Sequence, residues 1–362
     1  MARRPEGELR RGWTTGACAT AAAKAAYTAL LSGSFPDPVQ ITLPKGETPS
    51  FSLALEGRTK NGTYAAIVKD AGDDPDVTHG ALIRVDVEPN GDGNGISFRA
   101  GAGVGTVTRE GLPLSVGEPA INPAPRKMIG NTIAEAAKAH GGNGDVIVTI
   151  SVADGEDLAE QTWNPRLGIL GGISILGTTG VVVPYSCAAW IESIHRGIDV
   201  ARAAGEKVVA GCTGKISENR TQALLGLPDH AMIDMGDFAG GMLKYLRNHP
   251  VPRVVIGGGF AKITKLARGN LDLHSGRSEV DLSWLAEIAK SLGGTEDVAS
   301  RISKGNTAAE ALSIATKDGL PLADEIARRA ADVALETVAG TDIDIGTLIY
   351  NRTSDLVGRS NA

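Results

Sequence analysis

Aromatic side chains are scarce in this sequence: five Phe, four Trp and five Tyr among 362 residues, 4% of the chain. A core with so few rings must close through small aliphatic side chains, and the 47 glycines suit tight turns and close backbone approaches. Cysteine is scarcer still. Cys18, Cys187 and Cys212 lie far apart with no CxxC pair, which excludes a disulfide framework and a sequence-local zinc site and suits a reducing compartment. There is no basic excess. Thirty-six Lys and Arg against 42 Asp and Glu give a formal net charge of −6, which disfavours a nucleic-acid partner while leaving room for local basic clusters that hold a small anion. No apolar run reaches the ~20 residues of a spanning helix. Two Arg pairs do precede an alanine-rich stretch, but Lys24 interrupts it, so neither a signal peptide nor a lipid anchor is expected. The expectation is a soluble cytoplasmic protein with no membrane partner.

What is present is ample apolar content, 42% of the residues, in a chain too long for one ordinary core. Two domains are therefore expected. In residues 1–184, Thr14 or Thr15 can cap an alanine helix over 18–31. Alternating runs at 39–43, 51–55, 64–68, 81–87 and 146–150 read as strands, and a helix follows Pro125. That mixture predicts an α+β domain. In residues 185–362 the pattern changes at Gly205. Strands at 207–210, 230–234 and 253–256 each lead through a loop into a helix. Three such units predict a parallel sheet with right-handed crossovers and a ligand at the carboxyl ends of its strands, a Rossmann-like domain. Helices at 283–291, 298–303, 307–315 and 321–338 and a strand at 343–350 close the chain.

Several constellations could carry chemistry. Gly211, Thr213 and Gly214 follow the first strand of the second half, and Gly257 and Gly258 follow the third. Glycine there lets backbone N–H groups approach a cofactor, yet neither turn is a GxGxxG or a Walker A loop, so neither NAD nor ATP is specified. Asp234, at the end of the middle strand in sequence, suits ribose hydroxyls and equally suits a helix cap. Lys262, Lys265 and Arg268 recur every third residue, with His274 beyond them. They can face a polyanion or form a solvated face. Arg126-Lys127 at a helix start is similarly open. Residues 69–80 place Asp70, Asp73, Asp74, Asp76 and His79 in one loop, where crowded carboxylates can raise one pKa to that of a general base, or can simply form Asx turns. A metal there would fit no EF-hand spacing. The glycines of 101–108 run strand into strand and read as a bent hairpin or bulge rather than a phosphate loop.

Longer irregular motifs are more specific. Leu9-Arg10-Arg11-Gly12-Trp13-Thr14-Thr15-Gly16-Ala17-Cys18-Ala19, residues 69–80, Gly117-Glu118-Pro119-Ala120-Ile121-Asn122-Pro123-Ala124-Pro125-Arg126, Trp163-Asn164-Pro165-Arg166-Leu167-Gly168-Ile169 and residues 172–180 together resemble the cobalt-precorrin-5B C1-methyltransferase family of cobalamin biosynthesis. The likeness runs from about Leu9 to Ser275 and departs from the family pattern at Ala261 and Leu273. It implies methylation at C1 of a cobalt-corrinoid by S-adenosylmethionine (SAM), giving cobalt-precorrin-6A and S-adenosylhomocysteine. On this resemblance residues 1–184 are the corrinoid side of the site and 185–362 the SAM side. Gly211, Thr213, Gly214, Asp234, Gly257 and Gly258 are then expected to meet the cofactor. Thr14, Thr15, Arg126, Lys262, Lys265 and His274 are expected to meet the anionic substrate, and Asp73, Asp74 and His79 are the candidates for a base. No protein metal ligand is expected, since cobalt arrives inside the substrate, and homo-oligomerisation stays open. Two rivals remain, a non-enzymatic corrinoid carrier and a nicotinamide-dependent reductase.

Overall fold

Alanine sets the architecture of the first half. In the computed structural model, which describes residues 7–91 and 93–361, helix α1 (Thr15–Ser32) is capped by Thr14, whose hydroxyl accepts the Ala17 N–H, and ends at Gly33 with φ +86°. Its alanines are buried almost all round, because side chains one methyl deep let neighbouring backbones come close. The chain divides into two units, Met1–Cys187 and Ala188–Ala362.

In the first unit a five-stranded sheet lies against α1. Its strands are β1 (Leu55–Arg58), β2 (Thr63–Val68), β3 (Leu82–Pro89), β4 (Ile96–Ala100) and β5 (Val146–Val152), in the order β1-β2-β3-β5-β4. All pairs are antiparallel except β5 with β4. Side chains alternate across the sheet. Ile83, Val85 and Val87 of β3 and Val146, Val148, Ile150 and Val152 of β5 therefore share one core with α1 and with helix α2 (Pro123–His140). A short helix α3 (Gly155–Glu160) follows β5.

The second unit opens with α4 (Cys187–Ala203), then runs β6 (Val208–Cys212), α5 (Lys215–Leu225), β7 (Met232–Ile233), α6 (Ala239–Asn248), β8 (Arg253–Gly259) and α7 (Phe260–Ala267). Helices α8 (Leu282–Ser291), α9 (Glu296–Ser303), α10 (Ala308–Lys317) and α11 (Leu322–Thr337) lead to β9 (Asp344–Tyr350) and β10 (Leu356–Ser360). The sheet order is β7-β6-β8-β9-β10, parallel throughout except for β10. Both faces are covered, as parallel strands require. Val209, Val254, Ile256, Ile345 and Ile349 pack with α4, α6, α7 and α11, while Ala210, Cys212, Val255, Leu348 and Tyr350 pack with Leu225 of α5. From β6 the chain moves outward to β7, then returns past β6 to β8 and continues the other way. The order thus reverses between β6 and β8.

Several sequence expectations are corrected in detail. The runs 39–43 and 51–55 form only the paired stubs Val39–Gln40 and Ser50–Phe51 before β1, since Pro44 and Pro49 supply no donors to extend the ladder. Residues 101–108 do not pair with themselves. Gly103–Val104 joins Gly172–Ile173, and Thr106–Val107 joins Ile169–Leu170. Helix α2 begins at Pro123 rather than after Pro125, so Arg126 completes its first turn instead of opening it. Asp234 follows β7, which is second in sequence but stands at the sheet edge. Elements outside the sequence reading include β4, α3, α4, whose Ile194, Ile198 and Ala201 mark a buried face, and the edge strand β10.

Candidate functional site

The reversal between β6 and β8 is where open parallel sheets leave a crevice. Thr213 N–H donates to the Gly257 carbonyl at 3.0 Å across it, and Gly236 N–H donates to the Cys212 carbonyl at 3.0 Å. The glycines here divide into two kinds. A Cβ on Gly211 would lie 2.3 Å from Met242 Sδ, on Gly257 2.5 Å from Thr221 Oγ1, and on Gly258 2.8 Å from Ile263 Cδ1. Those three let strands and helices pack closely. Gly214 and Gly259 differ, because a Cβ on either would have no atom within 4 Å. Each is the N-cap of a helix, α5 and α7, and neither helix has a side-chain cap. Two helix N-termini therefore offer backbone donors beside open space. Gly259 was missed in the sequence; its signal was its place as last of three glycines before a helix. Cys212 beside the crevice is buried, and burial pushes its thiol up to about 12, so it is no nucleophile.

Asp234 lies at the same end of the sheet, and its carbonyl accepts the Trp190 Nε1–H at 3.0 Å. Lys262 and Lys265 do not form a solvated face. Lys262 Nζ pairs with the Asp237 carboxylate and donates to the Leu273 carbonyl at 3.0 Å, and the buried Lys265 donates to the same carbonyl at 3.1 Å. Arg268 departs from them to pair with Asp281 at 2.8 Å. His274 sits one residue beyond the shared carbonyl, its Nδ1 accepting the Gly276 N–H at 3.1 Å.

In the first unit the expected site residues are drawn together by mutual hydrogen bonds. Gly12-Trp13 pairs with Val181–Val182, and Trp13 N–H donates to the Asp70 carbonyl at 2.7 Å. Asp73 accepts the Arg10 N–H at 2.6 Å, and Asp74 accepts the Tyr185 N–H at 2.8 Å. Arg10 grips Asp70 through both terminal guanidinium nitrogens, Nη1 and Nη2, and its hydrogen bonds hold that carboxyl down at about 2. Burial would raise Asp76, but the buried Lys69 ammonium at 2.6 Å and the bonds from Thr78 outweigh it, and its pKa falls. For Asp70 and Asp76 the shift is therefore downward, the opposite of a raised pKa, because a cation and N–H or O–H donors face each of them. His79 Nδ1 accepts the Ala71 N–H at 3.1 Å, so the neutral ring carries its proton on Nε2. Among the described residues no group of three His, Cys, Asp or Glu side chains is placed to hold a metal ion.

Thr14 and Thr15 are buried and already engaged. Thr15 Oγ1 accepts the Leu176 N–H at 2.9 Å, Gly16 N–H donates to the Leu176 carbonyl at 2.9 Å, and Thr14 Oγ1 holds the Ala17 N–H. A carboxylate cradle at this helix start is thus filled by the protein's own residues 174–180. Arg126 is likewise turned inward, onto the carbonyls of Ile121 and Pro119 and onto Glu118. Arg10 and Lys69, which hold this region together with Asp70 and Asp76, were not read as site residues, since a solvated charge and a paired one look alike in sequence.

The family model described as CbiD matches residues 2–184, and the one described as the CbiD C-terminal domain matches residues 272–361. The chain belongs to the CbiD family. Curated relatives named cobalt-precorrin-5B C(1)-methyltransferase in Brucella anthropi and Brucella canis are each 58% identical to it over 352 residues, covering 97% of this chain and 96% of the relative. The chain is also similar to the crystal structure of the cobalamin biosynthesis protein cbiD from Archaeoglobus fulgidus, at 27% identity and a TM-score of 0.40 over 70% of this chain and 78% of that one. In this CbiD chain the interlocked residues 10–15, 69–80 and 174–180 all fall within the first matched segment, and α8 to β10 within the second. No helix of the described residues is long and apolar enough to cross a membrane.

Proposed function

We propose that this CbiD chain methylates C1 of cobalt-precorrin-5B, with SAM as methyl donor, in cobalamin biosynthesis. The observation that carries this reading is the 58% identity to curated methyltransferases over 97% of the chain. SAM supplies an electrophilic methyl on a sulfonium: the methyl passes to C1, the sulfur keeps the electron pair as the thioether of S-adenosylhomocysteine, and the ring supplies the electrons of the new bond. The protein's work is to align the two reactants and keep water out.

The second unit is read as a Rossmann-like domain holding SAM in the crevice between β6 and β8. The open faces of Gly214 and Gly259, the uncapped starts of α5 and α7, and Asp234 at the β7 end suit a molecule with an adenosine and a carboxylate. Thr213 lines the crevice, while Gly211, Gly257 and Gly258 shape it from behind. The first unit is read as the corrinoid side. There Arg126, Thr14 and Thr15 hold the loops that would meet the macrocycle. For the proton that the ring must shed, Asp73, Asp74 and His79 are the candidates; each already accepts one backbone N–H, from Arg10, Tyr185 and Ala71 in turn, which taking up a proton would weaken. The protein is read as cytoplasmic.

The test is incubation of purified protein with SAM and cobalt-precorrin-5B, followed by mass spectrometry. Equimolar S-adenosylhomocysteine and a product one methyl heavier are expected. Unchanged corrinoid that stays bound to the protein would instead support a carrier, and consumption of NADPH a reductase.

A further inference from the structure

Lys265 is an electrostatic oddity. It sits on α7 with 6% of its surface exposed, and its ammonium, a group with three N–H donors, has one hydrogen-bond acceptor, the Leu273 carbonyl at 3.1 Å. Among the described residues no carboxylate touches it. Lys262 donates to the same oxygen at 3.0 Å, so two ammonium groups converge on one carbonyl, and the single acid in contact, Asp237, belongs to Lys262. The remaining acids that face Lys265 are Asp272 and Glu279; Asp272 is held by Arg277, and Glu279 is exposed at the surface. A buried ammonium without a counter-ion is unfavourable unless it sheds its proton or an anion arrives. Burial and the neighbouring Lys262 lower its pKa accordingly. Lys262, whose side chain is 30% exposed, opens the pair to solvent one turn beyond Gly259.

We propose that Lys265, together with Lys262, is the receptor for one carboxylate of a bound ligand. The two oxygens of a carboxylate can bridge two ammonium groups that share one carbonyl, and its charge supplies what the buried pair lacks. The inference rests on the proposed reaction, in which two molecules bring such a group: SAM carries one carboxylate on its amino-acid arm, and the corrinoid carries acetate and propionate arms around its rim. In the free protein Lys265 gives up its proton more readily than an ordinary lysine. Anion binding raises its pKa, so proton uptake accompanies binding at pH values between the free and bound pKa, and affinity falls as pH rises through the bound-state pKa.

The test is calorimetric titration of the full-length protein at several pH values, each in two buffers of different ionisation enthalpy. The ligands are S-adenosylhomocysteine, 5′-methylthioadenosine (the same nucleoside thioether with a methyl in place of the amino-acid arm), cobyrinic acid and its methyl ester. For wild type, proton uptake is expected with one of the two acids and not with its uncharged counterpart. Lys265→Met is expected to weaken that acid about tenfold or more, roughly 1.4 kcal/mol, and to leave the uncharged counterpart unchanged, while Lys265→Arg retains most of the affinity. Lys262→Met, at a more exposed position, should show the same selectivity and guards against misfolding of the Lys265 variant. An effect confined to S-adenosylhomocysteine places the cofactor arm here, and one confined to cobyrinic acid places the substrate rim. Wild-type binding of both acids that neither substitution changes, with no proton uptake, overturns the inference and leaves the cofactor reading standing. Failure of S-adenosylhomocysteine alone to bind sinks the crevice reading, and Lys265 is then judged on cobyrinic acid. Failure of both acids to bind overturns the inference as well.

Discussion

The two units use polar residues in opposite ways. In the first, nearly every charged or hydroxyl side chain in the motif-bearing segments is engaged by the protein itself: Arg10 with Asp70, Lys69 with Asp76, Asp73 and Asp74 with backbone N–H groups, Thr15 with Leu176. In the second, two glycine-capped helix starts face open space, and a buried lysine lacks a counter-ion in contact. A dense polar motif can therefore serve to fix loops, and the groups free to meet a ligand can be backbone donors that no side-chain pattern announces. This contrast follows from the elements available. The stub strands of the first unit cannot hold long loops through ladders alone, so side chains do it. The parallel sheet of the second is secured by packing on both faces and leaves its loop ends unencumbered.

Substitutions can break or sharpen this contrast. Gly12→Ala should have the largest effect, since its Cβ would lie 2.0 Å from the Ala71 carbonyl carbon. A loss of about 3 kcal/mol is expected, read from urea unfolding, together with faster amide exchange across residues 69–80. Lys69→Met leaves Asp76 without its buried partner and should cost about 3 kcal/mol, with part of the loss recovered in Lys69→Met/Asp76→Asn. A double mutant no better than the single would show that the pair is not the reason for burying Lys69.

Smaller effects sharpen the comparison. Thr307→Ala removes the hydroxyl that accepts the Glu310 N–H at the start of α10, and about 1 kcal/mol is expected from thermal unfolding. Acid should weaken the first unit through Asp70. Its carboxyl is held near 2 in the folded state against an ordinary 3.8, so the unfolded chain takes the proton first. The contribution is complete above pH 3.8 and is lost as pH falls towards 2. Asp70→Asn should flatten that part of the stability profile, and an unchanged profile would mean that Arg10 and Asp70 part readily in solution. Last, Gly214→Ala should alter stability by less than about 0.5 kcal/mol, since its φ of 169° is ordinary extended backbone and its Cβ meets nothing. Its effect should appear instead as weaker S-adenosylhomocysteine binding. A Gly214→Ala protein that is destabilised but binds normally would erase the difference between the two units.

Much of the fold was legible. The alternation of β3 and β5, the Thr14 cap and the alanine run of α1, and the repeated strand–loop–helix pattern from Val208 to Ala267 are local signals. The site was less so. Gly211, Gly257 and Gly258 look like Gly214 and Gly259 in sequence, and only the positions of Met242, Thr221 and Ile263 separate glycines that admit a neighbouring side chain from glycines that face space. Asp70 and Asp76 likewise resemble candidate bases until Arg10 and Lys69 are seen against them.

Sequence alone thus determined most of the longer helices and strands, because hydrophobic period, caps and glycine stops act over a few residues, and its irregular motifs carried the family. Tertiary structure decided the strand order that opens a crevice between β6 and β8, the electrostatic sign of the 69–80 loop, and the burial of Lys265. Each of these depends on groups distant in the chain, and the energy of a charge or the room beside a glycine is set by whatever the fold brings within a few ångströms of it.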